Sequence, residues 1–224
     1  MAEALVTFVQ SELAALADPD RAIQMAAYMK TDMPFYGVAT PARAPIAREV
    51  KKRFPPVDDG EYRQNVLTLW RLAHREEKYL AVGYAWAFKR HVTFDQVDLY
   101  RRMIVEGAWW DLVDGVASPI VGKVVLDDPR RMRPVLEDWI DDEDLWLRRA
   151  ALICQNGHKA RTDHVMLFDF CLRRAAEKEF FIRKAIGWAL RDYARTDPES
   201  VRTFLARYGD RLSGLSRREA GKHL

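Results

Sequence analysis

The sequence has little glycine, proline and cysteine, and it has no long hydrophobic run. Gly and Pro together make up 21 of 224 residues, about 9%, against about 12% in average proteins. Two cysteines are too few for a disulfide-stapled scaffold, and 49% hydrophobic content excludes a disordered chain. No apolar stretch reaches the roughly 18 residues of a membrane span. Because helix breakers are scarce, we expect an all-α protein.

Sequence signatures of nucleotide, redox and metal chemistry are also missing. There is no glycine-rich phosphate loop, and no histidine stands beside a serine or cysteine in a recognisable catalytic pattern. Cys154, His158, His164 and Cys171 fall close together but lack the paired spacing of zinc ligands. We therefore expect no metal and no cofactor. The first residues also lack the basic-then-apolar pattern of a signal peptide, which predicts an intracellular protein.

Charge is distributed unevenly along a chain whose formal net charge is only +3. Residues 1–147 have a net charge of −5, whereas residues 148–224 have a net charge of +8. A basic last third indicates a surface for a polyanion, most commonly a nucleic acid. A solvated helical surface explains the same balance equally well.

Helix start signals recur along the chain. Thr40, Asp128 and Asp197 each precede a proline, so each is predicted to cap a helix that begins with that proline. Ser216 and Glu219 have the spacing of a capping box. The predicted helices span 2–17, 19–30, 41–53, 59–72, 75–89, 93–106, 108–126, 129–140, 143–156, 162–176, 179–195, 198–208 and 216–223.

Short helices with short connectors fit either a globular bundle or a stack of helix pairs. Successive pairs are spaced by about 35–45 residues, the range of HEAT and armadillo repeats. No linker divides the chain. We therefore predict one domain over 1–224, with HEAT-like repeats stacked into a curved superhelix.

Three stretches hold candidate functional residues. Trp110 and Asp114 are four residues apart on one helix face, where an aromatic ring beside a carboxylate can hold a cation. The alternative is a tryptophan at the edge of the core and an aspartate paired with an arginine. Arg149 stands in an otherwise apolar helix, where it is able to bind phosphate or form an inter-helix salt bridge, including with Asp114.

The third stretch is a helix in which a tryptophan lies among cations. Trp188 lies off the apolar stripe, in line with Lys184, Arg191 and Arg195. Cations suit phosphates and an indole suits a base or sugar, so this face is able to track a nucleic acid strand. The alternative is a half-buried tryptophan flanked by charged side chains whose stems pack on it.

Taken together, these stretches resemble the AlkD family of alkylpurine DNA glycosylases, which are built from HEAT-like repeats. The resemblance covers nearly the whole chain, and its WWDLVD and KEFFIRKAIGW strings are specific. The segments are MAAYMK at 25–30, GVATP at 37–41, WWDLVD at 109–114, WLRRAA at 146–151, KEFFIRKAIGW at 178–188 and LSRREA at 215–220.

The resemblance implies roles for individual residues. Asp114 would be the catalytic carboxylate, and Trp110 and Trp188 would form an aromatic cleft around the lesion. Arg149 matches an arginine that supports the DNA backbone, and Tyr28 matches a position facing DNA. The remaining expected DNA-binding residues are Lys184, Arg191, Arg195, Arg217 and Arg218.

The implied activity is that of a monofunctional glycosylase that hydrolyses the N-glycosidic bond of N3- and N7-alkylated purines in duplex DNA, without base flipping. The expected partner is double-stranded DNA containing alkylated purines. We expect a cytoplasmic monomer without a membrane partner, associated with the nucleoid if bacterial. The alternative is a non-catalytic HEAT-repeat module that binds DNA or serves as a protein scaffold.

Overall fold

The computed structural model describes residues 2–224, without the side chain of residue 223. Most of these residues are helical and none of them forms a strand, which confirms the prediction of an all-α chain. Their contacts divide into two compact units, one ending at Val92 and the other spanning Thr93–Leu224. The prediction of a single domain stays a prediction. Within the described residues, no helix combines the length and apolarity needed to cross a membrane.

The first unit is a packed set of helices in which α1 contacts α3, α4 and α5, and α5 also packs on α3 and α4. Its core is built from apolar side chains at helical spacing, such as Leu5, Val9 and Leu13 of α1, all fully buried. The helices are α1 (Ala2–Ala15), α2 (Pro19–Met29), α3 (Thr40–Arg53), α4 (Asp59–Trp70) and α5 (Arg75–Ala87), followed by a 3₁₀ helix at Lys89–His91.

A buried carboxylate fixes the connection between α2 and α3. Glu76 is fully buried, and its oxygens accept hydrogen bonds from the backbone N–H groups of Tyr36, Gly37 and Val38 at 3.1, 2.9 and 3.0 Å. Gly37 has a φ of +84°, and a Cβ there would lie 2.0 Å from the carbonyl oxygen of Asp18. Only glycine therefore fits this position.

The second unit is centred on α10, which contacts α6, α7, α9, α11 and α12. Leu147, Ala150 and Ile153 of α10 are fully buried. The α-helices are α6 (Val97–Gly107), α7 (Trp110–Val116), α8 (Gly122–Asp127), α9 (Pro129–Asp141), α10 (Leu145–Ile153), α11 (His164–Arg173), α12 (Phe180–Ala194), α13 (Pro198–Tyr208) and α14 (Gly214–Ala220). Short 3₁₀ helices occupy Phe94–Gln96, Lys159–Arg161, Gly209–Arg211 and Gly221–His223.

Two of the three predicted caps before proline are confirmed. The side chains of Asp128 and Asp197 accept hydrogen bonds from the backbone N–H groups three residues later, at 3.3 and 2.9 Å. The third prediction is wrong, because α3 already includes Thr40 and its cap position is taken by Ala39. The Thr40 hydroxyl instead accepts a hydrogen bond from the Arg43 side chain at 3.2 Å.

The capping box predicted at Ser216 is also wrong. The hydroxyl of Ser213 caps α14 by accepting a hydrogen bond from the backbone N–H of Ser216 at 3.0 Å, so the helix begins at Gly214. The Ser216 hydroxyl donates to the carbonyl oxygen of Arg183 on α12 at 2.9 Å. The Ser216 side chain, which the local pattern assigned to the cap, therefore holds α14 against α12 instead.

The helix predicted over 108–126 begins two residues later and contains one irregular turn. Ala108 has a left-handed backbone that ends α6, and α7 starts only at Trp110. A π-helical turn then occupies Ala117–Val121 before α8. Pro119 lies inside this turn and has no N–H for the regular helical ladder, which explains why the ladder widens there.

A glycine sets the closest approach of α12 and α14. A Cβ on Gly187 would lie 2.4 Å from the Glu219 Cβ and 2.8 Å from the Ser216 carbonyl oxygen. Both distances are shorter than real contacts, so any larger residue would push the two helices apart. A Cβ on Gly83 in α5 would have no heavy atom within 4 Å apart from its chain neighbours and the backbone of its own helix.

We expect Gly187→Ala to lower the free energy of unfolding by about 1–3 kcal/mol, because the added methyl group overpacks the contact. Gly83→Ala is the matched control. It should raise stability by up to about 1 kcal/mol, since alanine favours a helix interior. Urea unfolding followed by circular dichroism measures both. Equal effects of the two substitutions would contradict the tight contact.

Candidate functional site

The centre of the site is an ion pair between α7 and α10. The Nε of Arg149 donates to Oδ1 of Asp114 at 2.7 Å, and its Nη2 donates to Oδ2 at 2.8 Å. The remaining nitrogen, Nη1, donates to the backbone carbonyl oxygen of Phe181 on α12 at 2.7 Å. One guanidinium thus joins three helices. The inter-helix salt bridge between Arg149 and Asp114, one of the two alternatives predicted for this arginine, is therefore present.

Burial and charge act on this carboxylate in opposite directions. The side chain of Asp114 is 14% exposed and that of Arg149 is 5% exposed. Burial raises the pKa of Asp114 above its ordinary value, because the charged form loses hydration. The hydrogen bonds and positive charge of Arg149 lower that pKa, and the charge of Asp111 raises it, leaving a net increase.

The two candidate tryptophans border the ion pair from different helices. Trp110 begins α7 and lies one turn before Asp114 on the same helix face. Trp188 lies on α12, and its ring centroid is 6.0 Å from the guanidinium carbon of Arg149. Both indoles are half-buried, so each presents part of its surface to solvent. This arrangement places aromatic surface beside a partly accessible carboxylate.

An aromatic cluster holds the beginning of α7 against α10 and α12. The rings of Trp109, Trp146 and Phe181 lie with centroids 5.0–5.9 Å apart. Phe180 is 55% exposed and contacts the edge of Phe181. Sequence reasoning missed the role of Phe181, because the group that binds Arg149 is its backbone carbonyl, which no side-chain pattern can reveal.

The predicted cations of α12 lie near Trp188, but a carboxylate engages two of them. The Lys184 ammonium is 3.0 Å from Oε1 of Glu219, and Nη1 of Arg191 is 2.7 Å from Oε2. Arg195 is exposed just beyond the end of α12. Sequence reasoning missed Glu219 at this site because it assigned that residue to a capping box.

The other predicted DNA-binding residues are exposed. A guanidinium nitrogen of Arg217 lies 3.8 Å from Asp210, and Arg218 extends from α14 into solvent. Tyr28 lies on α2 in the first unit and is 73% exposed. The DNA contacts assigned to these residues and to Arg149 stay predictions.

The cysteines and histidines of the second unit form no metal cluster among the residues described. Cys154 and Cys171 are fully buried free thiols, and burial raises the pKa of Cys154 to about 12. Burial lowers the pKa of His158 to about 4, whereas His164 is exposed and stacks on Tyr193.

The chain is similar to a known protein family over nearly its whole length. The family described as "DNA alkylation repair enzyme" matches residues 9–224. The chain belongs to this family. No match was found among curated proteins.

Solved structures show the same helical-repeat fold. A structure titled "Predicted DNA alkylation repair enzyme from Enterococcus faecalis" is 28% identical, with a TM-score of 0.85, covering 93% of this chain and 96% of its own. AlkD2 from Streptococcus mutans is 14% identical, with a TM-score of 0.66 and coverage of 91% and 99%. The smu.31 protein from Streptococcus mutans UA159 is also 14% identical, with a TM-score of 0.63 and coverage of 80% and 90%.

We expect Arg149→Met to lower the free energy of unfolding by about 3 kcal/mol at pH 7, because it leaves the buried Asp114 carboxylate unpaired. The loss should shrink as the pH falls towards about 4, where protonation removes that buried charge. Urea unfolding at both pH values measures the difference.

Arg202→Met is the control for this substitution, since it removes an arginine from an exposed ion pair with Glu199. It should change stability by no more than about 0.5 kcal/mol at either pH. A deficit of Arg149→Met that is independent of pH would contradict the unpaired-carboxylate explanation.

Proposed function

We propose that this protein is a monofunctional DNA glycosylase that hydrolyses the N-glycosidic bond of positively charged N3- and N7-alkylated purines in duplex DNA. The observation that supports this most directly is the partly accessible Asp114 carboxylate, held by both oxygens to Arg149 beside two half-buried tryptophans. Membership of the DNA alkylation repair enzyme family supports the same activity.

The chemistry of the lesion explains why a single carboxylate is enough. An alkylated purine that already bears a positive charge is a good leaving group, so a general acid is dispensable. As the glycosidic bond breaks, positive charge develops on the sugar, and a fixed negative charge nearby stabilises it. Asp114 supplies that charge and accepts a proton from the attacking water. The products are the free base and an abasic site.

The tryptophans bind the damaged nucleotide in this proposal. The electron-rich faces of Trp110 and Trp188 attract the cationic base and the sugar that becomes cationic. Following the family resemblance, we propose that the lesion is recognised without being flipped into a pocket. The reaction uses no metal and no cofactor, and a protein that acts on cellular DNA would work in the cytoplasm or on the nucleoid.

The alternative is a module that binds DNA without catalysis. The Asp114 carboxylate favours the enzyme, because a negative charge beside bound phosphates weakens affinity for DNA. A protein that only binds DNA has no use for that charge, whereas hydrolysis depends on it.

The decisive experiment measures base release from duplex DNA containing N7-methylguanine. We expect wild-type protein to release the base, and Asp114→Asn to reduce the single-turnover rate by 100-fold or more, because about 3 kcal/mol of charge stabilisation is lost. Absence of release by wild-type protein would exclude the proposed activity, and an unchanged rate in Asp114→Asn would exclude this carboxylate.

Glu177→Gln is the matched control for that experiment. Glu177 pairs with Arg148, the neighbour of Arg149, at 3.1 Å, and its side chain is 19% exposed. This substitution also removes a carboxylate from a partly buried arginine pair but leaves Asp114 intact, so the rate should stay within about twofold of wild type. A circular dichroism melt of each variant establishes that it is folded.

The rate of base release should also report the ionisation of Asp114. Because burial raises the pKa of Asp114, the rate should fall on the acid side at a pH above the ordinary aspartate range of about 4. Arg149→Met removes a charge that lowers this pKa, so the fall should move to higher pH. Arg149→Lys keeps the charge and should stay closer to wild type.

Single-turnover rates between about pH 4.5 and 8, corrected for spontaneous depurination, test this expectation. Identical acid limbs in wild type and Arg149→Met would mean that another group controls the pH dependence.

A further inference from the structure

Glu219 binds three cations near the α12 surface that carries Trp188. Its oxygens accept hydrogen bonds from Lys184 at 3.0 Å, Arg191 at 2.7 Å and Lys222 at 2.9 Å. The side chain of Glu219 is 9% exposed, whereas those of Lys184 and Arg191 are 39% and 22% exposed. The carboxylate is therefore more deeply placed than the cations it binds, and the cations keep access to solvent.

The position of this carboxylate is fixed by the contact between α12 and α14. The Glu219 Cβ lies so close to Gly187 that no side chain fits there. The Ser216 hydroxyl, one turn earlier on α14, donates to the Arg183 carbonyl oxygen at 2.9 Å. The cations hold the pKa of Glu219 at about 2, so the group stays charged at any physiological pH. Glu219 is thus a permanent negative charge at a fixed place.

That charge acts on the residues expected to bind phosphate. Lys184 precedes Trp188 by four residues and Arg191 follows it by three, so all three belong to one face of α12. A phosphate that binds either cation shares its charge and N–H groups with Glu219 and approaches a second negative charge. Both effects reduce the gain from each phosphate contact.

Building on the proposed function, we propose that Glu219 competes with DNA phosphates for Lys184 and Arg191 and thereby limits the non-specific affinity of this surface for DNA. Phosphate contacts are independent of sequence and of damage, so they dominate non-specific affinity. Contacts of Trp110, Trp188 and Asp114 depend on the lesion. Weakening the first kind of contact lowers the affinity for undamaged DNA and leaves the preference for damaged DNA to the second kind.

The test compares Glu219→Gln with wild type in binding to an undamaged duplex across a range of salt concentrations. Glutamine keeps the shape of the side chain and removes its charge. We expect ~3- to 10-fold tighter binding at low salt and a steeper dependence of affinity on salt, because two cations become available to phosphates. The affinity for an N7-methylguanine duplex should rise by a similar factor, since the phosphate contacts are common to both duplexes.

Two further variants separate charge from structure. Glu219→Asp keeps the charge and should bind undamaged DNA within about twofold of wild type. Glu199→Gln removes an exposed carboxylate paired with Arg202 on α13, and it too should stay within about twofold. Unchanged or weaker binding by folded Glu219→Gln, or equal tightening by Glu199→Gln, would overturn the proposal.

A second route applies if Glu219→Gln melts below the assay temperature. Lys222→Met removes one of the two cations that bind Oε1 of Glu219, so Glu219 should hold Lys184 more strongly and Lys184 should be less available to phosphates. Duplex binding should therefore weaken more than in Arg202→Met, which removes an equally exposed cation on α13. Equal weakening would overturn the proposal. Base release by wild type is measured separately, so a protein that binds DNA without releasing base contradicts the glycosylase activity and leaves the Glu219 comparison valid.

Discussion

The bidentate contact between Asp114 and Arg149 is the interaction on which the site depends. It joins α7 to α10, and the third donor of Arg149 extends the connection to the Phe181 carbonyl oxygen on α12. Neither partner is stable alone in this position, because a buried unpaired charge costs several kcal/mol. The planar guanidinium offers donors in fixed directions, so the pair also determines how the three helices are placed.

The same contact sets the chemical state of the carboxylate. Full solvation would leave Asp114 ionised but would weaken its effect on a developing charge, whereas burial without a cation would raise its pKa further and disfavour the charged form. Arg149 resolves this conflict by lowering the pKa that burial raises. The aspartate is the more exposed member of the pair, so solvent reaches the carboxylate more readily than the guanidinium.

Local sequence patterns predicted the features that depend only on residues close together in the chain. The all-α class, the caps at Asp128 and Asp197, and the separation of Trp188 from the apolar stripe of α12 follow from composition and helical spacing. The Phe181 carbonyl contact and the ion pairs of Glu219 with Lys184 and Arg191 were not predicted, because each joins groups about thirty residues apart that leave no local signature. The cap at Ser216 failed for the same reason, since packing on α12 engages its hydroxyl.

Ion pairs between distant parts of the chain reduce the charge asymmetry that is seen along the sequence. Acidic and basic segments that are separate in the chain meet in the second unit, where Arg173 and Arg174 of the basic last third pair with Asp141 of the acidic part. Arg149 is likewise paired with Asp114 of the acidic part. A count of +8 over residues 148–224 therefore overstates the charge that a polyanion encounters. The balance between paired and accessible cations, rather than their number, determines how strongly this surface attracts a polyanion.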